Sequence, residues 1–137
     1  MKLLCAGGRD KYLNNKGYQE LDRLHEQYNF TELVNGMAPG IDKCAYNWAK
    51  IHNIPIKEFP AKWKDLSVMI LLIKEGKYGK YNALAGINRN NAMALYCDIT
   101  DICVCFCGSS GTESMLNIAT ERGMKVIDFM DRKDLIK

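Results

Sequence analysis

The chain has 137 residues, of which 47% are hydrophobic. This length and this apolar fraction suit one domain with its own core, so we expect residues 1–137 to form a single domain. Its 19 basic and 16 acidic residues are dispersed and leave a net charge of +3, which argues against nucleic acid as a partner, because nucleic-acid binders usually carry a basic stripe. No apolar stretch approaches the roughly 18 residues of a membrane span, and Gly7 and Gly8 interrupt the apolar start too early for a signal peptide. We therefore expect a cytoplasmic protein without a membrane partner.

Short apolar runs alternate with helical stripes along the chain. The runs predict strands over residues 2–6, 31–35, 54–59, 101–106 and 125–129. Apolar residues at spacings of three and four predict helices over residues 18–28, 41–52, 83–96 and 112–122. Alternating strands and helices with short connections indicate a mostly parallel sheet covered on both faces. The predicted fold is α/β, a Rossmann-like three-layer sandwich with a mostly parallel five-stranded sheet.

One long excursion interrupts this alternation between the third strand and its helix. It contains the apolar septet 67–73 followed by a Lys- and Gly-rich stretch. Long excursions in compact domains are usually functional or mobile, so we expect an insertion around residues 64–81 that covers a ligand pocket or forms a subunit contact. A short core-packed helix is the alternative. From residue 130 onwards we expect a frayed tail.

The six cysteines do not form the pattern of a disulfide framework or a metal site. Cys103, Cys105 and Cys107 alternate along one predicted strand, and no pair has C-x-x-C spacing. The two histidines lie in predicted helices without a cysteine or histidine at ligand spacing. We expect buried, reduced thiols, with no metal and no cofactor.

Three glycine-rich turns follow the first, second and fourth predicted strands. Parallel strands end at the same edge of a sheet, so we expect the three turns to meet there. Glycine allows close backbone approach to a ligand, and a helix that follows the turn offers free N–H groups and the positive end of its dipole, which suits phosphate. The predicted ligand contacts are Gly7, Gly8, Arg9, Asp10, Gly36, Met37, Gly40, Asp42, Gly108, Ser109, Ser110, Gly111 and Thr112.

Other polar and aromatic residues extend the predicted site. Arg89 stands among asparagines at the start of a predicted helix, so we interpret Arg89 as an anion clamp and Asn90 as a ligand contact. A solvated helix end is the alternative. Trp63 either stacks on a base or fills the rim of the sheet. Asp10 and Asp42 either bind ribose hydroxyls, act as acid-base groups or cap the helices that follow them, and for Asp42 the cap is the favoured interpretation.

The motifs resemble the YspA-like branch of the SLOG superfamily. They are, in chain order, Gly-Gly-Arg-Asp, Asn-Gly-Met-Ala-Pro-Gly-Ile-Asp, Phe-Pro-Ala-Lys-Trp, Ala-Gly-Ile-Asn-Arg-Asn-Asn-Ala-Met and Gly-Ser-Ser-Gly-Thr-Glu-Ser-Met. This branch is common in bacteria and phages. The resemblance implies a Rossmann-like fold, a nucleotide-type ligand, pairing into homodimers, and a location in the host cytoplasm if the chain is phage-encoded.

The superfamily includes LOG enzymes, which cut the bond between a base and ribose 5′-phosphate and carry Pro-Gly-Gly-x-Gly-Thr-x-Glu-Glu with an earlier Arg. Arg89 and Gly111-Thr112 match this pattern, but the two glutamates fall on Ser114 and Met115. Glu113 is one residue early, about 100° around the helix. Such a reaction needs a carboxylate, which Glu113, Asp10 or Asp42 could supply, and Glu113 and Asp10 are the catalytic candidates.

Three functions follow from these motifs. The first is capture of a nucleotide or nucleotide-derived signal, as a sensor or, in a phage, as a sponge. The second is N-glycosidic hydrolysis of a nucleoside 5′-phosphate, and the third is a structural or partner-binding role with a vestigial pocket. An intact glycine-rich turn and the missing glutamates favour the first.

Overall fold

The computed structural model describes residues 1–62, 73–76, 79–82 and 84–137. The strands are β1 (Lys2–Ala6), β2 (Glu32–Asn35), β3 (Ile56–Glu58), β4 (Ile73–Gly76), β5 (Gly79–Asn82), β6 (Ile102–Cys105) and β7 (Lys125–Asp128). The helices are α1 (Asn15–Tyr28), α2 (Ile41–Ile51), α3 (Ala85–Tyr96) and α4 (Ser110–Glu121), and a 3-10 helix, η1, spans Lys133–Leu135.

The main sheet has five strands in the order β3-β2-β1-β6-β7, and every pair in it is parallel. β1 occupies the centre, with Leu4 opposite Val34 on one side and Cys103 on the other. The chain order reverses between β1 and β6, because β2 and β3 extend the sheet in one direction and β6 and β7 in the other. This arrangement confirms the predicted Rossmann-like α/β fold.

Helices cover both faces of the sheet. On one face, α1 and α2 pack Leu21, Leu24 and Trp48 against sheet residues such as Leu3 and Val104. On the other, α3 and α4 contribute the remaining layer, whose buried residues include Met93, Met115, Ala119, Leu4 and Cys103. β6 is buried at every residue because a central parallel strand has a helix on each side. Its uninterrupted apolar sequence follows from this position.

The carboxyl-terminal residues are ordered, so the predicted frayed tail is wrong. Leu135 in η1 is 1% exposed and belongs to the core beneath α1. The side-chain amide of Asn14 donates to the carbonyls of Asp134 (2.8 Å) and Ile136 (3.1 Å). The Asn14 N–H also donates to the Leu135 carbonyl at 3.0 Å. Long-range packing and hydrogen bonds therefore hold a segment whose own sequence carries no strong signal.

Within the predicted insertion, β4 and β5 pair as an antiparallel hairpin with Ile73 opposite Asn82. Most of the apolar septet 67–73 lies outside the described residues, as does Trp63. In the part of the chain that the structure describes, no helix has the length and apolar character needed to cross a membrane.

Candidate functional site

A cavity of about 610 Å³ lies where the strand order reverses, at the carboxyl ends of β1 and β6. Open parallel sheets generally bind ligands at such a switch point, and the volume falls within the range of about 300–1,000 Å³ typical of small-molecule sites. The turn after β1, the start of α2, one face of α3 and the first turns of α4 form its walls. The lining residues are Ala6, Gly7, Gly8, Arg9, Asp10, Ala38, Asp42, Gly86, Ile87, Arg89, Asn90, Met93, Ser109, Ser110, Gly111, Thr112, Ser114 and Met115.

Most residues predicted for the site therefore border one cavity, although they come from distant parts of the sequence. Gly36, Met37, Gly40, Gly108 and Glu113 are not among its lining residues. Trp63 lies outside the described residues. Glu113 is exposed, whereas Ser114 and Met115 on the same helix border the cavity. The roles of these residues toward a ligand remain predictions.

The three glycine-rich turns contact one another. The Gly8 N–H donates to the Cys107 carbonyl at 2.9 Å, and the Gly8 carbonyl accepts from the Ile41 N–H at 3.1 Å. Gly40 has a φ of 77° and approaches the Gly8 carbonyl so closely that a Cβ would collide with it. Contacts within the protein thus account for the glycine at position 40. The Gly8 N–H is bonded to the protein itself, through the Cys107 carbonyl.

The turn after β1 does not lead into a helix, contrary to the sequence prediction. Residues 7–14 separate β1 from α1, and the Asn14 side chain accepts the Gly17 N–H at 3.0 Å as the cap of that helix. Asp10 therefore does not cap α1. Asn14, the cap residue of α1, donates to carbonyls of the carboxyl-terminal segment. The start of α1 therefore contacts that segment.

Buried polar contacts set the conformation of the turn between β2 and α2. Asn35 is fully buried; its amide donates to the Asp42 carbonyl at 2.9 Å and its oxygen accepts the Met37 N–H at 2.7 Å. Met37 takes a left-handed φ of 60°. These bonds fold the loop back over the first turn of α2. Sequence reasoning missed Asn35, although a polar residue that ends an apolar strand before a glycine is a usable signal.

Asp42 does not cap α2, so the favoured interpretation from the sequence is wrong. Gly40 is the N-cap residue, and the Asp42 carboxylate instead accepts the Ala38 N–H at 3.2 Å. The side chain is only 6% exposed yet borders the cavity. Burial raises the pKa of Asp42 to about 6, against the opposing effects of the Ala38 N–H and the positive charges of Arg89 and Arg9.

Arg89 connects the cavity walls. Its Nη1 donates to the Gly36 carbonyl at 2.6 Å and its Nε to Asn90 Oδ1 at 2.9 Å. The Asn90 amide donates in turn to the Gly111 carbonyl in α4 at 3.3 Å. Burial lowers the pKa of Arg89, and the Asp42 carboxylate opposes this effect. A guanidinium has five N–H donors and stays charged in proteins, so Arg89 can hold these two acceptors and also donate to a ligand.

The first turn of α4 presents backbone N–H groups to the same cavity. Ser109 is the N-cap residue, and the intrahelical ladder begins with the Glu113 N–H donating to the Ser109 carbonyl at 3.0 Å. The N–H groups before Glu113 have no intrahelical acceptor, as in any α-helix. Ser109, Ser110 and Gly111 are exposed, and an added Cβ on Gly111 would meet no protein atom within 4 Å.

Several lining residues were not predicted from the sequence. Gly86 and Met93 fall on the helical face that carries Asn90, at spacings of four and three residues, so the periodicity of α3 contained the signal. Ser114 and Met115 continue the wall along α4. Within the described ranges, no three His, Cys, Asp or Glu side chains group in a way that would hold a metal ion.

A five-stranded parallel sheet with helices on both faces and a cavity at its switch point defines a Rossmann-like α/β protein. Residues 1–65 match the family described as YAcAr: YspA, cpYpsA-related SLOG family. The match supports the relationship to the YspA-like branch of the SLOG superfamily that the motifs predicted. No curated protein and no solved structure matches the chain. Similarity to this family suggests a nucleotide-related function.

Proposed function

We propose that the chain binds a nucleotide or a nucleotide-derived signal in the cavity between β1 and β6. One observation carries the proposal: the Arg89 guanidinium and the first turn of α4 border the same cavity. The N–H donors of a cationic side chain and the N–H groups of a helix start are complementary to phosphate oxygens. Phosphate is therefore the part of the ligand that this arrangement would select most strongly.

The rest of the cavity suits the sugar and base. Asp10 and Asp42 supply carboxylates that can accept hydrogen bonds from ribose hydroxyls, and Ile87, Met93 and Met115 supply apolar surface. Small-molecule sites commonly combine an apolar lining with a few oriented polar groups. The proposed ligand accordingly has a phosphate at α4 and a less polar part along α3.

Purification of the full chain from its host, denaturation and mass spectrometry of the released small molecules would identify a tightly held nucleotide. Titration calorimetry with nucleosides and their 5′-phosphates then tests the phosphate contact. Arg89→Ala should weaken binding of a nucleoside 5′-phosphate about 10- to 100-fold, the range expected for lost hydrogen bonds to a charged group. Binding of the unphosphorylated nucleoside should stay within about twofold.

Arg122→Ala is the matched control. Arg122 also uses its guanidinium to hold a backbone carbonyl, that of Cys97 at 2.8 Å, but it does not line the cavity. Equal losses for nucleoside and nucleotide in Arg89→Ala would contradict an anion clamp. Failure of every nucleotide to bind the folded wild-type chain would instead favour a structural role with a vestigial pocket.

Asp42 favours a second candidate, N-glycosidic hydrolysis of the bound nucleotide. Glycosidic cleavage needs a carboxylate beside the developing oxocarbenium ion, and Asp42 is a buried carboxyl group beside Arg89 on the cavity wall. In this reaction the bond from ribose C1′ to the base breaks, water adds to C1′, and the base leaves with a proton. The products are free base and ribose 5-phosphate.

Release of free base from nucleoside 5′-monophosphates, measured by chromatography, tests the second candidate. We expect Asp42→Asn to abolish release while nucleotide binding persists, because asparagine keeps an acceptor for the Ala38 N–H. Glu113→Gln serves as the comparison, since Glu113 is exposed and lies outside the lining residues. A wild-type chain that binds nucleotides without releasing base would leave capture as the function.

A further inference from the structure

A second cavity of about 430 Å³ borders a different face of α3. Its walls come from the end of β3 and the segment that follows, and from the face of α3 that carries Ala85, Asn88 and Ala92. Gly86, Asn90 and Met93 on α3 border the first cavity instead. Because spacings of three and four residues define one face of a helix, α3 is the wall between two cavities.

Arg89 borders both cavities. Its bonds to Gly36 and Asn90 hold the guanidinium at the boundary, so one cation can face ligand groups on either side. β3 is parallel to its neighbour β2, and its carboxyl end therefore lies at the sheet edge that carries the first cavity. The two cavities are thus neighbours on one binding edge.

The second cavity combines positive charge with an aromatic surface. Its described lining residues include three cationic side chains, Lys57, Lys62 and Arg89, and one carboxylate, Glu58. The Lys57 ammonium lies 5.8 Å from the centre of the Phe59 ring and 5.6 Å from that of Tyr96. Phe59 itself packs against Tyr96 at 5.5 Å between ring centres. An excess of cations beside an accessible ring is a chemistry that binds nucleotides, through phosphate and through base stacking.

We propose that the ligand is of the dinucleotide type and that its second nucleotide unit occupies this second cavity. The inference rests on the proposed nucleotide binding in the first cavity. The second phosphate contacts Lys57 and Lys62, and the second base lies against Phe59. Each cavity has the volume of a separate small-molecule site, so a ligand that spans Arg89 uses binding surface that a mononucleotide leaves empty.

The test uses calorimetry on the full chain with four nucleoside 5′-monophosphates and the four corresponding 5′-phosphorylated homodinucleotides. At least one dinucleotide should bind about tenfold or more tightly than the mononucleotide of the same base, as expected for one added set of charge-assisted contacts. Lys57→Gln with Lys62→Gln should remove that gain and leave mononucleotide binding within about twofold.

Lys43→Gln with Lys50→Gln is the matched control, since both lysines lie over the ring of Tyr46, at 4.8 and 5.4 Å, and border neither cavity. This variant should bind the dinucleotide more tightly than the mononucleotide by the same factor as the wild type. Equal wild-type affinities for mononucleotides and dinucleotides would overturn the second subsite and leave the proposed function intact. Equal losses of both ligand types in Lys57→Gln with Lys62→Gln would also overturn it, and a wild-type chain that binds neither type would overturn both proposals.

Discussion

Arg89 joins three parts of the cavity wall through a short chain of hydrogen bonds. It holds the Gly36 carbonyl directly, and through Asn90 it connects to the Gly111 carbonyl in the first turn of α4. Gly36 has no side chain because a Cβ there would collide with the guanidinium and lie 2.8 Å from Asp42 Oδ2. A single residue therefore sets the spacing between the turn after β2 and the proposed phosphate site.

Gly111→Val tests the phosphate contact without loss of the fold. The substitution meets open space in the free protein, so the free energy of unfolding should change by less than about 1 kcal/mol. Its methyl groups would occupy the space in front of the α4 N–H groups, and nucleotide affinity should fall about 10- to 100-fold.

Asn117→Val, an exposed position on the same helix outside the cavity lining, controls for a β-branched residue in α4. Calorimetry for binding and urea unfolding for stability provide the two readouts. Unchanged nucleotide affinity in a folded Gly111→Val chain would remove α4 from the proposed site.

Asp42 predicts a pH dependence of stability with a defined sign. Burial raises the folded-state pKa from 3.8 to about 6, so the folded chain holds this proton to higher pH than the unfolded chain does. The stabilising contribution is complete below about pH 4 and is lost as pH rises through about 6, with a span of about 3 kcal/mol at most.

Urea unfolding of the wild type and Asp42→Asn between pH 4 and pH 8 measures this contribution. The difference between the two curves of unfolding free energy against pH cancels the contributions of the other titrating groups. The wild type should lose stability relative to the variant as pH rises across that window. A flat difference would show that the pKa of this carboxyl group is near its ordinary value, and a rising difference would show that folding lowers it.

Contacts between residues that are distant in sequence determine where the helices of this fold lie. α3 separates two cavities because two adjacent faces of this helix, which share Arg89, border them, and η1 lies under α1 because Asn14 binds its backbone. Gly17 belongs to the same junction, since a Cβ there would lie 2.5 Å from the Leu135 carbonyl. The carboxyl-terminal segment is thus part of the layer that covers one face of the sheet.

Leu135→Ala should lower the free energy of unfolding by about 2–4 kcal/mol, the usual cost of removing a buried leucine side chain. Lys133→Ala in the same short helix removes an exposed side chain and should change stability by less than about 0.5 kcal/mol. Thermal or urea unfolding followed by circular dichroism distinguishes the two. Equal, small effects would mean that the tail detaches in solution.

At the scale of the whole molecule, we propose that the chain forms a homodimer. The apolar septet 67–73 is too long to leave exposed on a small compact domain, and a two-fold contact between copies is the simplest closed arrangement that would cover it. Its residues lie mostly outside the described part of the chain, so the argument rests on the sequence. We expect this contact to lie beside the ligand site.

Light scattering coupled to size exclusion should give twice the chain mass of 15.6 kDa at micromolar concentration. Leu71→Asp with Leu72→Asp should give monomers with weaker ligand binding, because burial of unpaired carboxylates is costly. Leu95→Asp with Ile99→Asp adds the same charges at positions 72% and 64% exposed and should leave the dimer intact. A wild-type mass near 15.6 kDa would mean that the septet has another role.

The sequence by itself determined the fold class and the order of its elements. Alternating runs such as Lys2–Ala6 and stripes such as Ile41–Ile51 report directly which faces are buried, because apolar periodicity is a local property. The rule that parallel strands share a carboxyl edge then predicted Arg9, Arg89 and Ser110 on one side of the sheet. Those residues do border one cavity.

Only the tertiary structure decided how each polar group is used. Asp42 was expected as a cap, but the path of the preceding turn directs its carboxylate to the Ala38 N–H, and burial by surrounding elements raises its pKa. Gly8 was predicted as a ligand contact and borders the cavity, but its N–H donates to the carbonyl of Cys107, 99 positions later in the chain. Hydrogen-bond partners and burial depend on atoms distant in sequence, and local patterns carry no information about them.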